Sequence, residues 1–271
     1  MSRGRRRRPS MADRADRYQL YQNSVQDAPA DAAFLDDEFH RRRARRARSL
    51  REDFCGTAAL SCEFVARHPG SRAIGVDLDP DPLAWGREHN IASLSQAEQE
   101  RIELVESDVL EIGEPRVDLI AAMNFSYWIF ETRDLLRDYF ERVRRALNPD
   151  GLFFIDAYGG SDCHEEKEYA REEDGFDFIW DQVAFDPVSG RMRCAIHYEF
   201  PDGSKLRNAF RYQWRFWSLP ELRELLEEAG YSRTVVLWEG ADENGDGNGE
   251  FEEVTEGTAD ETWIAYLVSE P

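Results

Sequence analysis

Five short apolar runs between residues 50 and 156 constrain the fold more than any other feature of this chain. The first opens the stretch Leu50-Arg51-Glu52-Asp53-Phe54-Cys55-Gly56-Thr57-Ala58. The others span residues 73–77, 102–109, 117–124 and 151–156. Apolar positions at helical spacing lie among them: Leu60, Phe64 and Val65, then Leu83, Trp85 and Ile91, then Leu136, Tyr139, Phe140 and Val143. Strands alternating with helices predict a mostly parallel sheet covered on both faces.

The first strand-turn-helix carries the chemistry. Gly56 is the residue that must be small so that backbone can approach a ligand, and Thr57 is placed to cap the helix that follows. Phe54 and Ala58 stand at two of the three glycine positions of G-x-G-x-G, so this turn alone fits an ordinary strand-to-helix connection equally well. Asp77 closes the second run about 20 residues past Gly56, the spacing at which a carboxylate on the neighbouring strand reaches a ribose diol.

Taken in order, the motifs resemble the class I S-adenosylmethionine-dependent methyltransferases. FCGTA resembles their glycine motif, with Glu52 in its acidic place. GVDLD resembles the ribose-binding motif, SDVLE the adenine-binding motif, and LNPDGLFFIDAYGG the helix end, turn and fifth strand. The likeness covers roughly residues 45–160, joined by elements near 219–268, and is nearest to bacterial small-molecule methyltransferases with an EDFCGTA-type first motif. It implies an α/β fold: a Rossmann-like seven-stranded doubly wound sheet, with an N-terminal helical lid. It also implies S-adenosyl-L-methionine as methyl donor and S-adenosyl-L-homocysteine as product. Carried over by position, the cofactor contacts are Glu52, Phe54, Cys55, Gly56, Thr57, Asp77, Leu78, Asp108, Val109, Asn124 and Phe125. In the family an N-terminal segment folds over the cofactor, which makes Tyr18 and Tyr21 candidates for covering the sulfonium; packing as core aromatics is the alternative. Arg51 is costly inside a strand without a partner. That partner is either the cofactor's methionine carboxylate or a neighbouring Glu52 or Asp53.

The acceptor side is read from Asn124-Phe125-Ser126-Tyr127, which partly resembles the NPPY motif of amino-group methyltransferases. Asn124 and Tyr127 match; Phe125 and Ser126 depart. The pair is therefore the expected catalytic set for N-methylation, preferred over O-methylation, with a polar turn anchored by aromatics as the alternative. His197 is a third catalytic candidate, as a base, set against a satisfied structural histidine.

The remaining divisions follow composition and pattern. Residues 1–12 read as a disordered basic tail and 13–48 as the helical lid, ending in a solvated basic helix end at 41–48. The cofactor-binding core spans 49–160. Residues 161–218 read as an inserted antiparallel meander, with a charged, mobile start at 162–175 and three strands at 176–185, 191–200 and 206–217. Residues 219–271 complete the core sheet. Residues 242–253 match part of an EF-hand loop pattern, but lack the flanking helices, and a solvated acidic loop is preferred. The four cysteines have no metal spacing and fit a reducing cytoplasm, and no metal is called for. A net charge of -21 argues against nucleic acid and suits a neutral or cationic small-molecule acceptor. No apolar run approaches the ~20 residues of a membrane span. A homodimer is compatible with the sequence. The rival functions are a methyltransferase acting on nucleic acid or protein, a non-catalytic cofactor-binding protein and, more weakly, a nicotinamide-dependent dehydrogenase.

Overall fold

A computed structural model describes residues 8–241 and 247–271. Twelve strands and eight α-helices are found among them. In chain order they are α1 (Met11–Arg14), α2 (Arg17–Ser24), α3 (Ala28–Arg43), β1 (Ser49–Asp53), α4 (Ala59–Arg67), β2 (Arg72–Asp77), α5 (Pro80–His89), α6 (Gln96–Gln99), β3 (Ile102–Glu106) and β4 (Val117–Ala122). Then come α7 (Arg133–Ala146), β5 (Leu147–Gly159), β6 (Lys167–Glu173), β7 (Phe176–Phe185), β8 (Arg191–Glu199), β9 (Lys205–Arg215), α8 (Leu219–Glu228), β10 (Arg233–Ala241), β11 (Gly247–Val254) and β12 (Trp263–Glu270). They divide into two compact units. One holds the described residues up to Gln26 together with His164–Arg215; the other holds Asp27–Cys163 and Phe216–Pro271.

The larger unit is built on one sheet, in the order β11-β10-β12-β5-β4-β1-β2-β3. Strands β3, β2, β1, β4 and β5 run parallel, and β12, β10 and β11 add antiparallel at one edge. The sequence suggested seven strands; the eighth is β11. It lies in the acidic stretch expected to be a loop, and the first part of that stretch, residues 242–246, is outside the described residues.

The near-continuous apolar runs are explained by burial on both faces. On β5, Phe153 meets Tyr139 and Phe140 of α7, with ring centroids at 6.1 and 5.8 Å. Its neighbour Phe154 points the other way, into a cluster with Leu35 and Phe39 of α3 and Leu60, Phe64 and Val65 of α4. The segment 13–48 is therefore not a single element: α3 is core, with Leu35 and Phe39 fully buried, while α1 and α2 fall in the other unit.

The basic run after α3 is not a solvated end either. Arg42 pairs with Glu38 and Glu270, Arg43 with Glu270, Arg45 with Asp118 and Asp150, and Arg46 with Asp36. These bonds tie the C-terminal end of α3 to β4 and β12 of the core sheet.

The smaller unit is an antiparallel sheet in the order β6-β7-β8-β9. Its extra strand, β6, is the segment read from sequence as mobile. It pairs with β7 from Lys167↔Gln182 to Glu173↔Phe176. Its charges mark it as an edge strand, which ionic side chains protect from pairing with other chains. One face of this sheet buries Phe176, Phe178, Ile196 and Tyr198 against Leu20, Tyr21 and Val25.

Candidate functional site

Parallel pairing brings the C-terminal ends of β1 to β5 to one edge of the larger sheet. The register sets Asp53 beside Val76, Asp77 beside Glu106, and Ala122 beside Ile155. Ligands of open α/β sheets bind outside this edge.

The turn after β1 is built as a glycine turn with one glycine. Phe54, Gly56 and Ala58 all have φ between +53° and +58°. A side chain on Gly56 would meet nothing within 4 Å, so its face opens on free space. Behind the turn the packing is tight. Cys55 is buried, its amide donates to the Val76 carbonyl, and its sulfur lies 2.9 Å from where a Cβ on Gly75 would stand. Burial pushes the Cys55 thiol well up, which makes it an inert filler. Thr57 does not cap α4: Ala58 is the N-cap, with no side-chain bond. The capping acceptor comes instead from Glu52, whose Oε2 takes the Ser61 N–H at 2.9 Å and the Ser61 hydroxyl at 2.5 Å. Burial pushes the Glu52 carboxyl up to about 8 against these bonds, with Asp77 and Asp31 adding to the rise.

Asp77 accepts the Gly56 N–H on Oδ2 at 2.7 Å and the Asp79 N–H on Oδ1 at 2.9 Å. Its carboxyl is shifted upward, chiefly by burial. Next to it Leu78 is 68% exposed, an apolar surface at the strand end. Asp108 caps the short turn Val109–Glu111 through the Leu110 amide at 2.9 Å, and Val109 is buried.

Arg51 takes the second of its two expected partners. It is fully buried and paired with Asp53 at 2.8 Å, with a further bond to the Ile112 carbonyl. Tyr139 donates to the same Asp53 at 2.8 Å. The guanidinium is thus committed to the α7 face of β1, and the assignment to a cofactor carboxylate is withdrawn.

After β4, Asn124 and Phe125 both adopt left-handed backbone, at φ +59° and +56°. The carboxylate of Asp156, buried in β5 just past the end of its pairing with β4, accepts both of their amides, at 2.7 and 2.9 Å. Burial pushes this carboxyl up to about 7 against those two bonds, with Asp31 adding to the rise. Tyr127 is fully buried and donates its hydroxyl to the Asp156 carbonyl at 2.8 Å, so it anchors the turn and does not face an acceptor. Asn124 is half-buried, and its side-chain amide makes no hydrogen bond among the described residues.

Two acids that the sequence reading missed complete the edge. Asp156 was read only as the end of a strand. Asp31, in the first turn of α3, has a carboxyl pushed up to about 6 by burial and by Asp27, and no hydrogen-bond partner among the described residues. Asp31 lies in no motif, and the LNPDGLFFIDAYGG stretch that contains Asp156 marks only a turn and a strand, because both roles depend on which strand and helix lie beside them.

The other candidates lie in the smaller unit. Tyr21 packs on Phe210 at 4.8 Å and Tyr18 on the same ring at 6.1 Å, which is the core role given as the alternative. His197 is buried and accepts the Asn208 N–H on Nδ1 at 2.7 Å. A backbone amide can only donate, so the neutral ring carries its proton on Nε2, which lies 3.2 Å from Asp181. No lone pair is left to take a proton or bind a metal, although Glu168, Asp181 and His197 cluster closely. His197 is structural, and its assignment as a base is corrected.

Residues 55–153 match the family model described as a methyltransferase domain. Among solved structures the chain is similar to an S-adenosylmethionine-dependent methyltransferase from Clostridium acetobutylicum, at 16% identity over 92% of this chain and 96% of that one, with a TM-score of 0.67. It is similar to a sugar N-methyltransferase from a Streptoalloteichus species, at 17% identity over 94% and 92%, with a TM-score of 0.62. It is also similar to an amino pentose methyltransferase from Micromonospora echinaspora, at 15% identity over 95% and 98%, with a TM-score of 0.64. Among curated protein sequences, none matches. Residues 55–153 thus resemble a methyltransferase domain, and the chain shares the Rossmann-like fold of these structures.

Proposed function

We propose that the protein is a small-molecule N-methyltransferase that uses S-adenosylmethionine and acts on a cationic or neutral amine. The observation that carries the reading is the crevice edge itself. A glycine turn opening on free space, a carboxylate locked beside it and a turn held at Asn124 follow one another along the C-terminal ends of β1, β2 and β4.

The residues fit the donor. Gly56 offers its open face to the ligand, Asp77 keeps lone pairs for a ribose diol, Leu78 offers apolar surface to a base, and Asp108 stands at the next strand end. Bound S-adenosylmethionine supplies a methyl group activated by positive sulfur. The protein's share is then orientation and charge. Glu52, Asp77, Asp156 and Asp31 crowd the edge with carboxyls whose ionisation burial opposes, and a bound sulfonium or ammonium favours their charged forms. Asp31, as an unbonded carboxyl with an elevated proton affinity, is suited to take the proton that an ammonium must lose before its nitrogen can attack. Asn124 is suited to hold the acceptor nitrogen through its free side-chain amide. The sugar N-methyltransferase and amino pentose methyltransferase among the similar folds support an amine on a small, polar molecule. Among the described residues no helix is long and apolar enough to cross a membrane. The four cysteines are free and buried, which suits a reducing compartment.

The test is incubation with S-adenosylmethionine and a panel of amino sugars and other small amines, read by mass spectrometry. Gain of one methyl on an amine nitrogen is expected. Methylation confined to hydroxyl acceptors would overturn the preference for nitrogen.

A further inference from the structure

We propose that Asp156 is a positioning residue for methyl transfer: its carboxylate locks the backbone of Asn124 and Phe125, so that Asn124 is held toward the acceptor. This rests on the methyltransferase reading above.

Two consecutive non-glycine residues in left-handed conformation are strained, Phe125 more than Asn124, and persist only where the surroundings over-determine them. Here the surroundings are specific. Both oxygens of one buried carboxylate are used, Oδ2 on Asn124 and Oδ1 on Phe125, and that carboxylate has no other hydrogen bond among the described residues. The main chain of the same aspartate is tied to the turn from below by the Tyr127 hydroxyl. The Phe125 ring packs edge-on against Tyr158 at 4.7 Å, and Trp128 stacks on Tyr158 at 4.9 Å, so Tyr158, two residues beyond Asp156 in β5, also holds the turn. Asp156 itself sits in strand pairing opposite Tyr266 of β12. Burying a carboxylate to hold a strained turn is a poor device for stability alone, because it adds desolvation to strain. It is a good device for precision, because a charge-assisted pair of bonds fixes both the position and the direction of Asn124. Misplacement of a positioning group by about 1 Å can cost ~100-fold in rate.

The test uses Asp156→Asn and Tyr127→Phe in the full chain. S-adenosylhomocysteine affinity is read by calorimetry, and kcat and KM with the amine that the parent methylates. Asp156→Asn keeps the shape but turns an N–H toward one of the two amides. Its affinity for S-adenosylhomocysteine is expected to stay within about threefold while kcat falls ~100-fold. Tyr127→Phe is expected to bind equally well and lose several-fold in kcat. A purely structural role would lower product affinity and kcat together, and that outcome, or a kcat within threefold of the parent for Asp156→Asn, overturns the proposal. Should Asp156→Asn fail to fold, Tyr127→Phe decides: a lowered kcat at unchanged product affinity supports the lock, and an unchanged kcat overturns it. Absence of S-adenosylhomocysteine binding by the parent would sink the methyltransferase reading and this proposal with it.

Discussion

The carboxylate of Asp77 accepts the backbone amide of Gly56 at 2.7 Å, so the acid that ends β2 holds the turn that ends β1. Its second oxygen holds the Asp79 amide, at the N-cap of α5. One side chain thus fixes the two backbone segments that would border a nucleoside, and still keeps a lone pair on each oxygen for a ligand.

Gly86 on α5 marks how closely that helix rides on the turn after β1. A Cβ there would stand 2.4 Å from the Thr57 carbonyl, a backbone atom that cannot step aside. Gly86→Ala is expected to cost about 1–3 kcal/mol of stability and to weaken S-adenosylhomocysteine binding with it. Thermal unfolding with and without the ligand reads both. An unchanged midpoint would show that the contact yields without cost.

The acidic edge gives stability a pH dependence opposite in sign to that of a salt-bridged carboxylate. Asp31, Asp156 and Glu52 hold their protons up to about 6, 7 and 8, whereas unfolded they ionise near pH 4. Between those values the folded state binds more protons, so stability is greatest at the acidic end and falls as pH rises. Unfolding followed across this range should show that decline, with a flatter slope in Glu52→Gln. A cation bound at this edge favours the ionised acids. Binding of S-adenosylmethionine is therefore expected to release protons and to tighten as pH rises between about 6 and 8, and S-adenosylhomocysteine, which lacks the sulfonium charge, to depend on pH less. Equal slopes for both ligands would remove the acids from the sulfonium's surroundings.

His197 offers a sharp contrast between a reading from residue type and one from geometry. His197→Asn is expected to change stability and to leave kcat within about threefold, because a ring whose Nδ1 already accepts an amide has no lone pair to catalyse with. A loss of ~100-fold at unchanged stability would restore it as a base.

Tyr139 donates to Asp53, which in turn holds Arg51. Tyr139→Phe leaves a fully buried carboxylate one donor short. A cost of about 1–3 kcal/mol is expected in chemical denaturation, with ligand affinity little changed because the network faces α7.

The parallel core, its element types and the acids at its strand ends were legible in the sequence, because apolar runs buried on both faces and turn chemistry are local signals. What was not legible depends on neighbours. Glu52 caps α4 from across the turn in the place given to Thr57, since a cap from another element leaves no spacing to read. Asp31 carries no motif, Asp156 only that of a strand, and both become notable only once β4, β5 and α3 are side by side. The charged strand β6 reads in sequence as a mobile segment because an edge strand has no buried face to imprint alternation on it. The basic run at 41–48 reads in sequence as a solvated end because its acidic partners, Asp118, Asp150 and Glu270, lie far off in the chain.

The central claim is that the edge formed by Gly56 and Asp77 binds S-adenosylmethionine, and calorimetry on the parent and on Asp77→Ala tests it most directly. Micromolar binding of S-adenosylmethionine and S-adenosylhomocysteine by the parent, weakened at least ~100-fold by the substitution, is the predicted result. A parent that binds neither, or an Asp77→Ala variant that binds both as well as the parent, would contradict the account.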